Sequence, residues 1–240
     1  MELPVAASYE GSGLIRCTSP DVSASTSGGM LAVQLMSDDV LHMSSVAFFY
    51  DAHVSVSSIQ PVSGMVSGGT LLMVHGSHFM QSSNAYCKFG GGLSSLARWL
   101  SSNLMECYSP ASTHEGYVQL QLSINDQDYS HEHVLFEYQH MAHVQHILPN
   151  KGGVEGGSML VVSGSHFSER SASLSYLLCR FNMTMVSAVY VSSMQLHCIT
   201  PEHVAGMVTV EVSLNKQQFS TDGVQYEYVE VSLYGVSPVS

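Results

Sequence analysis

Residues 59–79 read IQPVSGMVSGGTLLMVHGSHF, and residues 147–167, 88 positions further on, read ILPNKGGVEGGSMLVVSGSHF. Twelve of the 21 positions are identical. The matches are a proline, a spaced set of glycines, alternating apolar residues and a closing Gly-Ser-His-Phe. Self-similarity at a fixed spacing is the mark of a repeated structural unit. The shared positions are Pro61, Gly64, Gly68, Gly69, Gly76 and Phe79 in one copy, and Pro149, Gly152, Gly156, Gly157, Gly164 and Phe167 in the other. Leu72 and Val74, matched by Leu160 and Val162, are predicted to form the inner face of a strand. Glycine pairs stand where positive φ or a close backbone approach is needed. Each proline follows a short strand at a point where a missing N–H is tolerated.

Working outward, each copy has two cysteines, Cys87 in YCKFG and Cys107 in ECYSP, then Cys179 in LCRFN and Cys198 in HCITP. A strictly alternating run follows, with Val118, Leu120, Leu122 and Ile124 in one copy and Val208, Val210, Val212 and Leu214 in the other. Period-2 alternation predicts a strand with one buried face. Both copies close on an aromatic-acid-aromatic triplet, Phe136-Glu137-Tyr138 and Tyr226-Glu227-Tyr228. The segment Leu93 to Leu104 is predicted as strand and loop, and no amphipathic helix is expected.

The same landmarks organise the ends. Cys17-Thr18-Ser19-Pro20 matches the second cysteine motif, Leu31, Val33 and Leu35 after Gly28-Gly29 read as the alternating strand, and Phe48-Phe49-Tyr50 is the closing triplet. Val236 and Pro238 stand where Ile59 and Pro61 do. The expected organisation is the C-terminal part of a truncated repeat over 1–52, complete repeats over 53–140 and 141–229, and the start of a further repeat over 230–240.

The chain has 240 residues, room for one large domain or two to three small ones, and 45% of them are hydrophobic. Only 11% are charged, and the formal net charge is −12. The seven basic residues are scattered, which argues against nucleic acid or an anionic membrane surface as partner. No run of about 18 apolar residues is present, so any membrane attachment would come from a segment outside this sequence.

Five cysteines fall into intra-repeat pairs, Cys87 with Cys107 and Cys179 with Cys198, leaving Cys17 as the second member of a pair whose partner belongs to the missing half. Disulfides here point to an oxidising compartment, and buried free thiols are the alternative. No C-x-x-C spacing supports zinc. Asn182-Met183-Thr184 is an N-glycosylation sequon. Among the 13 histidines, His131 and His133 would share a strand face and could chelate a metal, although a lysine-poor surface using histidine as polar filler explains them as well. His78 and His166 recur at equivalent positions and suggest a turn. Asn125-Asp126-Gln127-Asp128 could offer carboxylates to calcium, but Asn215-Lys216-Gln217-Gln218 replaces it in the next copy, and a hairpin turn is the better reading. No nucleophile–base set or phosphate loop can be assembled, so neither enzymatic activity, cofactor nor metal is expected.

The pattern I-x-P-x-x-G-x-x-x-G-G-[ST]-x-L-x-V-x-G-S-x-F, followed by C, C-x-x-P, G-x-V and an aromatic-x-Tyr close, resembles the IPT/TIG family. The paired cysteines are most like the extracellular repeats of plexin- and fibrocystin-type receptors. The resemblance implies an all-β fold of tandem immunoglobulin-like (E-set) antiparallel β-sandwiches. It also implies a cell-surface or secreted receptor or adhesion array that binds proteins or glycans and acts as a semi-rigid stalk. Two other roles of the family stay open, accessory domains of a secreted carbohydrate-active enzyme and a transcription-factor-type dimerisation domain. His78 and His166 depart from the family, which more often has a small or amide residue there.

Overall fold

Short apolar-alternating segments bounded by Gly, Ser and Pro fold as strands because each can bury one face against a second layer. A computed structural model describes residues 4–20, 29–37, 40–42 and 46–230. Gly28, Val236 and Pro238 lie outside the described residues. The chain divides into two compact units, Met1–His53 and Val54–Ser240.

In the first unit β1 (Ala7–Gly11) pairs with β2 (Leu14–Cys17), β3 (Gly29–Ala32) with β6 (Ala47–Tyr50), and β4 (Leu35–Ser37) with β5 (Val40–His42), all antiparallel. The predicted single strand through Leu31, Val33 and Leu35 is therefore two short ones. All three side chains are exposed, so no opposing layer imposes a continuous alternation, and the β4–β5 hairpin interrupts it.

The second repeat holds β7 (Ser55–Gln60), β8 (Ser63–Met65), β9 (Leu71–Ser77), β10 (Tyr86–Phe89), β11 (Leu93–Ser101), β12 (Leu104–Tyr108), β13 (Gly116–Ser123) and β14 (Val134–Gln139). The third holds β15 (His143–Leu148), β16 (Lys151–Gly153), β17 (Met159–Ser165), the one-turn helix α1 (Glu169–Ser173), β18 (Leu178–Phe181), β19 (Thr184–Ser192), β20 (Gln195–Ile199), β21 (Gly206–Ser213) and β22 (Gln225–Val229). Strand order is β7-β9-β12-β11-β10-β13-β14-β8, and the third repeat reproduces it as β15-β17-β20-β19-β18-β21-β22-β16. The layers of each sandwich share one strand. The first half of β11 pairs with β10 and its second half with β12, and β19 does the same.

Between the layers lie the predicted inner faces. Leu72, Val74, Leu120, Leu122 and Phe136 are fully buried in the second repeat, as are Leu160, Val162, Val210 and Tyr226 in the third. Cys87–Cys107 and Cys179–Cys198 are bonded inside these cores, each tying one layer to the other across a Cα–Cα distance of 6.4 Å. Closing loops of 20 and 19 residues, each stabilises its repeat by about 3 kcal/mol through the entropy it removes from the unfolded chain. His78 and His166 both sit at positive φ, 61° and 62°, the turn role expected of them.

One clasp recurs three times. The last tyrosine of each closing triplet donates its hydroxyl to the carbonyl of the proline after the second cysteine: Tyr50 to Pro20 at 3.1 Å, Tyr138 to Pro110 at 2.9 Å and Tyr228 to Pro201 at 2.9 Å. In each case the ring stands edge-on to the other aromatic of its triplet, at 4.9–5.0 Å between centroids.

Burial pushes the Tyr138 and Tyr228 hydroxyls up to about 12, from an ordinary value of 10.0. Folded tyrosine therefore holds its proton to higher pH than unfolded tyrosine. The stabilisation is complete below pH 10.0 and is lost as pH rises through about 12. Denaturant midpoints should fall across that window, and Tyr138→Phe should flatten the fall while costing about 1 kcal/mol at neutral pH for the lost hydrogen bond. Urea titrations at neutral and alkaline pH check both.

Candidate functional site

The junction between the two complete repeats is built from short polar side chains around one apolar plug. Met65, at the end of β8, is 1% exposed and packs into the core of the third repeat alongside Ala142 of the linker. On one flank the Arg170 side chain pairs with Glu137 at 3.0 Å and lies over the Tyr117 ring at 5.3 Å. Ser168 caps α1 by accepting from the Ser171 N–H and also accepts from Gln139 Nε2 at 3.4 Å. Ser171 in turn donates to Gln139 Oε1 at 3.3 Å.

On the other flank the Asn215–Gln218 turn clasps the start of β9. Gln217 Oε1 accepts from the Leu71 N–H at 2.9 Å while its Nε2 donates to the Leu71 carbonyl at 2.9 Å, so a side-chain amide stands in for a neighbouring strand. Gln218 Oε1 accepts from the Thr70 hydroxyl at 3.0 Å, and Gln218 Nε2 donates to the Gly68 carbonyl at 3.4 Å. Sequence reasoning missed Met65, Gln217 and α1. The signals were there as departures between copies. Met65 aligns with Gly153, and the stretch from Phe167 to Cys179 is longer than that from Phe79 to Cys87.

The second surface is the outer face of the sheet that ends in β12 and β11, and its counterpart in β20 and β19. There Tyr108 is 57% exposed, Leu96 64%, Ile199 53% and Val189 64%. In the second repeat the Arg98–Glu106 ion pair lies across this face, and Trp99, at a bulge of β11, donates its indole N–H to the Phe79 carbonyl at 3.1 Å. Val191 continues the apolar strip in the third repeat, where His197 is its polar neighbour. Apolar side chains gathered on one outer face in two successive units form a binding-competent surface.

The remaining predicted sites fall as follows. His131 and His133 lie ahead of β14, not on a strand, which corrects their reading as same-face strand neighbours. The reason is local: β13 side chains take over the ladder, with Gln121 donating to the Ser130 carbonyl at 2.9 Å and Gln119 to the Glu132 carbonyl at 3.2 Å. His140 and His166 face each other across the junction at 5.2 Å, and His143 pairs with Asp222. Among the described residues no group of three or more His, Cys, Asp or Glu could hold a metal. Asn125–Asp128 is a turn whose carboxylates are occupied, Asp126 by the Tyr129 hydroxyl and Asp128 by Asn125. Burial, followed by that bond to Asp126, pushes the Tyr129 hydroxyl up to about 12. Asn182 is exposed at positive φ, its Oδ1 accepting from the Thr209 N–H. Cys17 is free and exposed.

The model of the IPT/TIG domain matches residues 55–138 and 142–228. The chain belongs to the IPT/TIG family. Among solved structures, the plexin A4 full extracellular region, domains 1 to 10, is similar over 94% of this chain at 16% identity with a TM-score of 0.54. A second form of the plexin A4 extracellular region covers 74% at 16% identity with a TM-score of 0.44. A Bacteroides ovatus mixed-linkage glucan utilization locus protein in complex with a heptasaccharide covers 69% of this chain and 44% of its own, at 14% identity with a TM-score of 0.29. The chain spans 20% of the first plexin A4 region and 18% of the second, and at these identities the likeness is one of fold. For the IPT/TIG pair, the junction gives a direct test. Met65→Ala should cost 2–5 kcal/mol as a cavity opens in the third repeat, with the destabilisation appearing in that repeat although the residue belongs to the second, roughly as for buried methionines elsewhere. Repeat-resolved hydrogen exchange reads where the loss falls.

Proposed function

We propose that this chain is a non-enzymatic binding array from a cell-surface or secreted receptor or adhesion protein, held as a semi-rigid stalk by its repeat junctions. The observation that carries the reading is the apolar outer face repeated on successive units, Leu96 and Tyr108 followed by Val189 and Ile199, beside neutral polar residues. Aromatic and aliphatic anchors of this kind suit protein ligands, and the exposed Tyr108 ring also suits a sugar face. Membership of the IPT/TIG family and a disulfide in each complete repeat favour the extracellular branch over the transcription-factor branch. The strongly raised hydroxyl pKa values are all explained by burial or a structural hydrogen bond, none by a catalytic arrangement.

Two measurements test this. Protein recovered unreduced from its own compartment should show a single free thiol, Cys17, on denaturation; five would place it in a reducing compartment and favour the transcription-factor reading. The labelled chain should bind intact cells, and Tyr108→Asp with Ile199→Asp should weaken that binding at least about tenfold while leaving the fold intact, because both side chains are exposed. Unchanged binding by the double variant would remove this face from the account.

A further inference from the structure

The clasp on β9 has an exact chemical counterpart left open one repeat later. In the second repeat, Ser109 donates its N–H to the Thr70 carbonyl at 2.8 Å and accepts from the Thr70 N–H through its hydroxyl at 3.1 Å. In an antiparallel ladder the next residue turns its N–H and C=O to the opposite side. That residue is Leu71, and opposite it β7 has already ended at Gln60, so Gln217 fills the place of a strand. The third repeat has the same frame. Thr200 donates to the Ser158 carbonyl at 2.9 Å and accepts from the Ser158 N–H at 3.0 Å, and β15 ends at Leu148, before Pro149. Met159 therefore presents its N–H and C=O as Leu71 does. Here the edge is uncovered: Met159 is 56% exposed, Ser158 is only partly buried where Thr70 is fully buried, and Gly157 faces open space where Gly69 meets Gln218 at 3.9 Å.

The matching donor is the turn of the second repeat. Asn125 Oδ1 accepts from the N–H groups of Gln127 and Asp128, as Asn215 Oδ1 does from Gln217 and Gln218. Asp126 and Lys216 share positive φ, 60° and 66°. Gln127 holds the position of Gln217, is exposed, and its side-chain amide has no hydrogen-bond partner among the described residues. Asp128, in place of Gln218, can accept from the Ser158 hydroxyl as Gln218 accepts from Thr70.

We infer that the Gly156–Met159 edge is a docking site for the Asn125–Asp128 turn of a second copy of this chain, with Gln127 bridging the Met159 N–H and C=O. Donor and acceptor lie at different sites on one molecule, so the contact is head-to-tail and can propagate along a row of copies. The assignment does not depend on what the outer sheet face binds.

A mixing experiment tests it. Isotope-labelled Gln127→Ala keeps its edge but loses its turn, so its Met159 amide resonance should not move as its own concentration is raised. Adding unlabelled wild-type chain, which supplies an intact turn, should shift that resonance progressively, whereas adding unlabelled Gln127→Ala should leave it at least about tenfold less responsive, the effect of losing two hydrogen bonds. Gln127 is exposed on a turn, so the variant folds. No wild-type-dependent shift, or an equal shift with either partner, overturns the proposal; the first outcome also follows if residues 231–240 already cover the edge.

Discussion

A proline without an N–H to donate sets the plan of each repeat. β7 pairs with β9 as far as Gln60 and β15 with β17 as far as Leu148, and Pro61 and Pro149 stop the ladder there. The chain then crosses to the other layer, where β8 and β16 run parallel to β14 and β22. The first strand of the unit thereby serves both layers of the sandwich. The same crossing brings Met65 against the next core and leaves Leu71 with backbone groups that need a partner.

Most of the architecture could be read from alternation. Leu72, Val74, Leu120 and Leu122 and their counterparts are buried as their period predicts, the cysteines bridge within their repeats, and Leu93 to Leu104 lies in two strands and a turn. These features depend on local pattern, which each copy states twice. The junction depends on what one copy does to the other, and alternation says nothing about that. Asn215–Gln218 was legible as a turn, yet the reach of Gln217 to Leu71 is fixed by the relative placement of two domains. α1 fills a stretch that exists in only one copy, and its five residues are too few to display a helical period. His131 and His133 looked like strand neighbours because the strand after them begins just beyond, at Val134.

The low charge of the chain has a physical expression at this junction. One ion pair, Arg170 with Glu137, is accompanied by hydrogen bonds from Gln139, Ser171, Asn215, Gln217 and Gln218. Hydrogen bonds between neutral groups and the buried Met65 are little affected by ionic screening, so the coupling between repeats persists across salt concentrations that would weaken an interface of exposed charges.

The parallel pairing of β8 with β14 also decides how a repeat bears tension. The chain passes into the sandwich through β8 and leaves it through β14, and both run the same way. A pull on the two ends slides these strands past each other, loading their hydrogen bonds together instead of peeling them one at a time. Behind them, Cys87–Cys107 keeps the stretch between its two cysteines from extending even after the sandwich opens. A tethered array of such units would yield late and lengthen little.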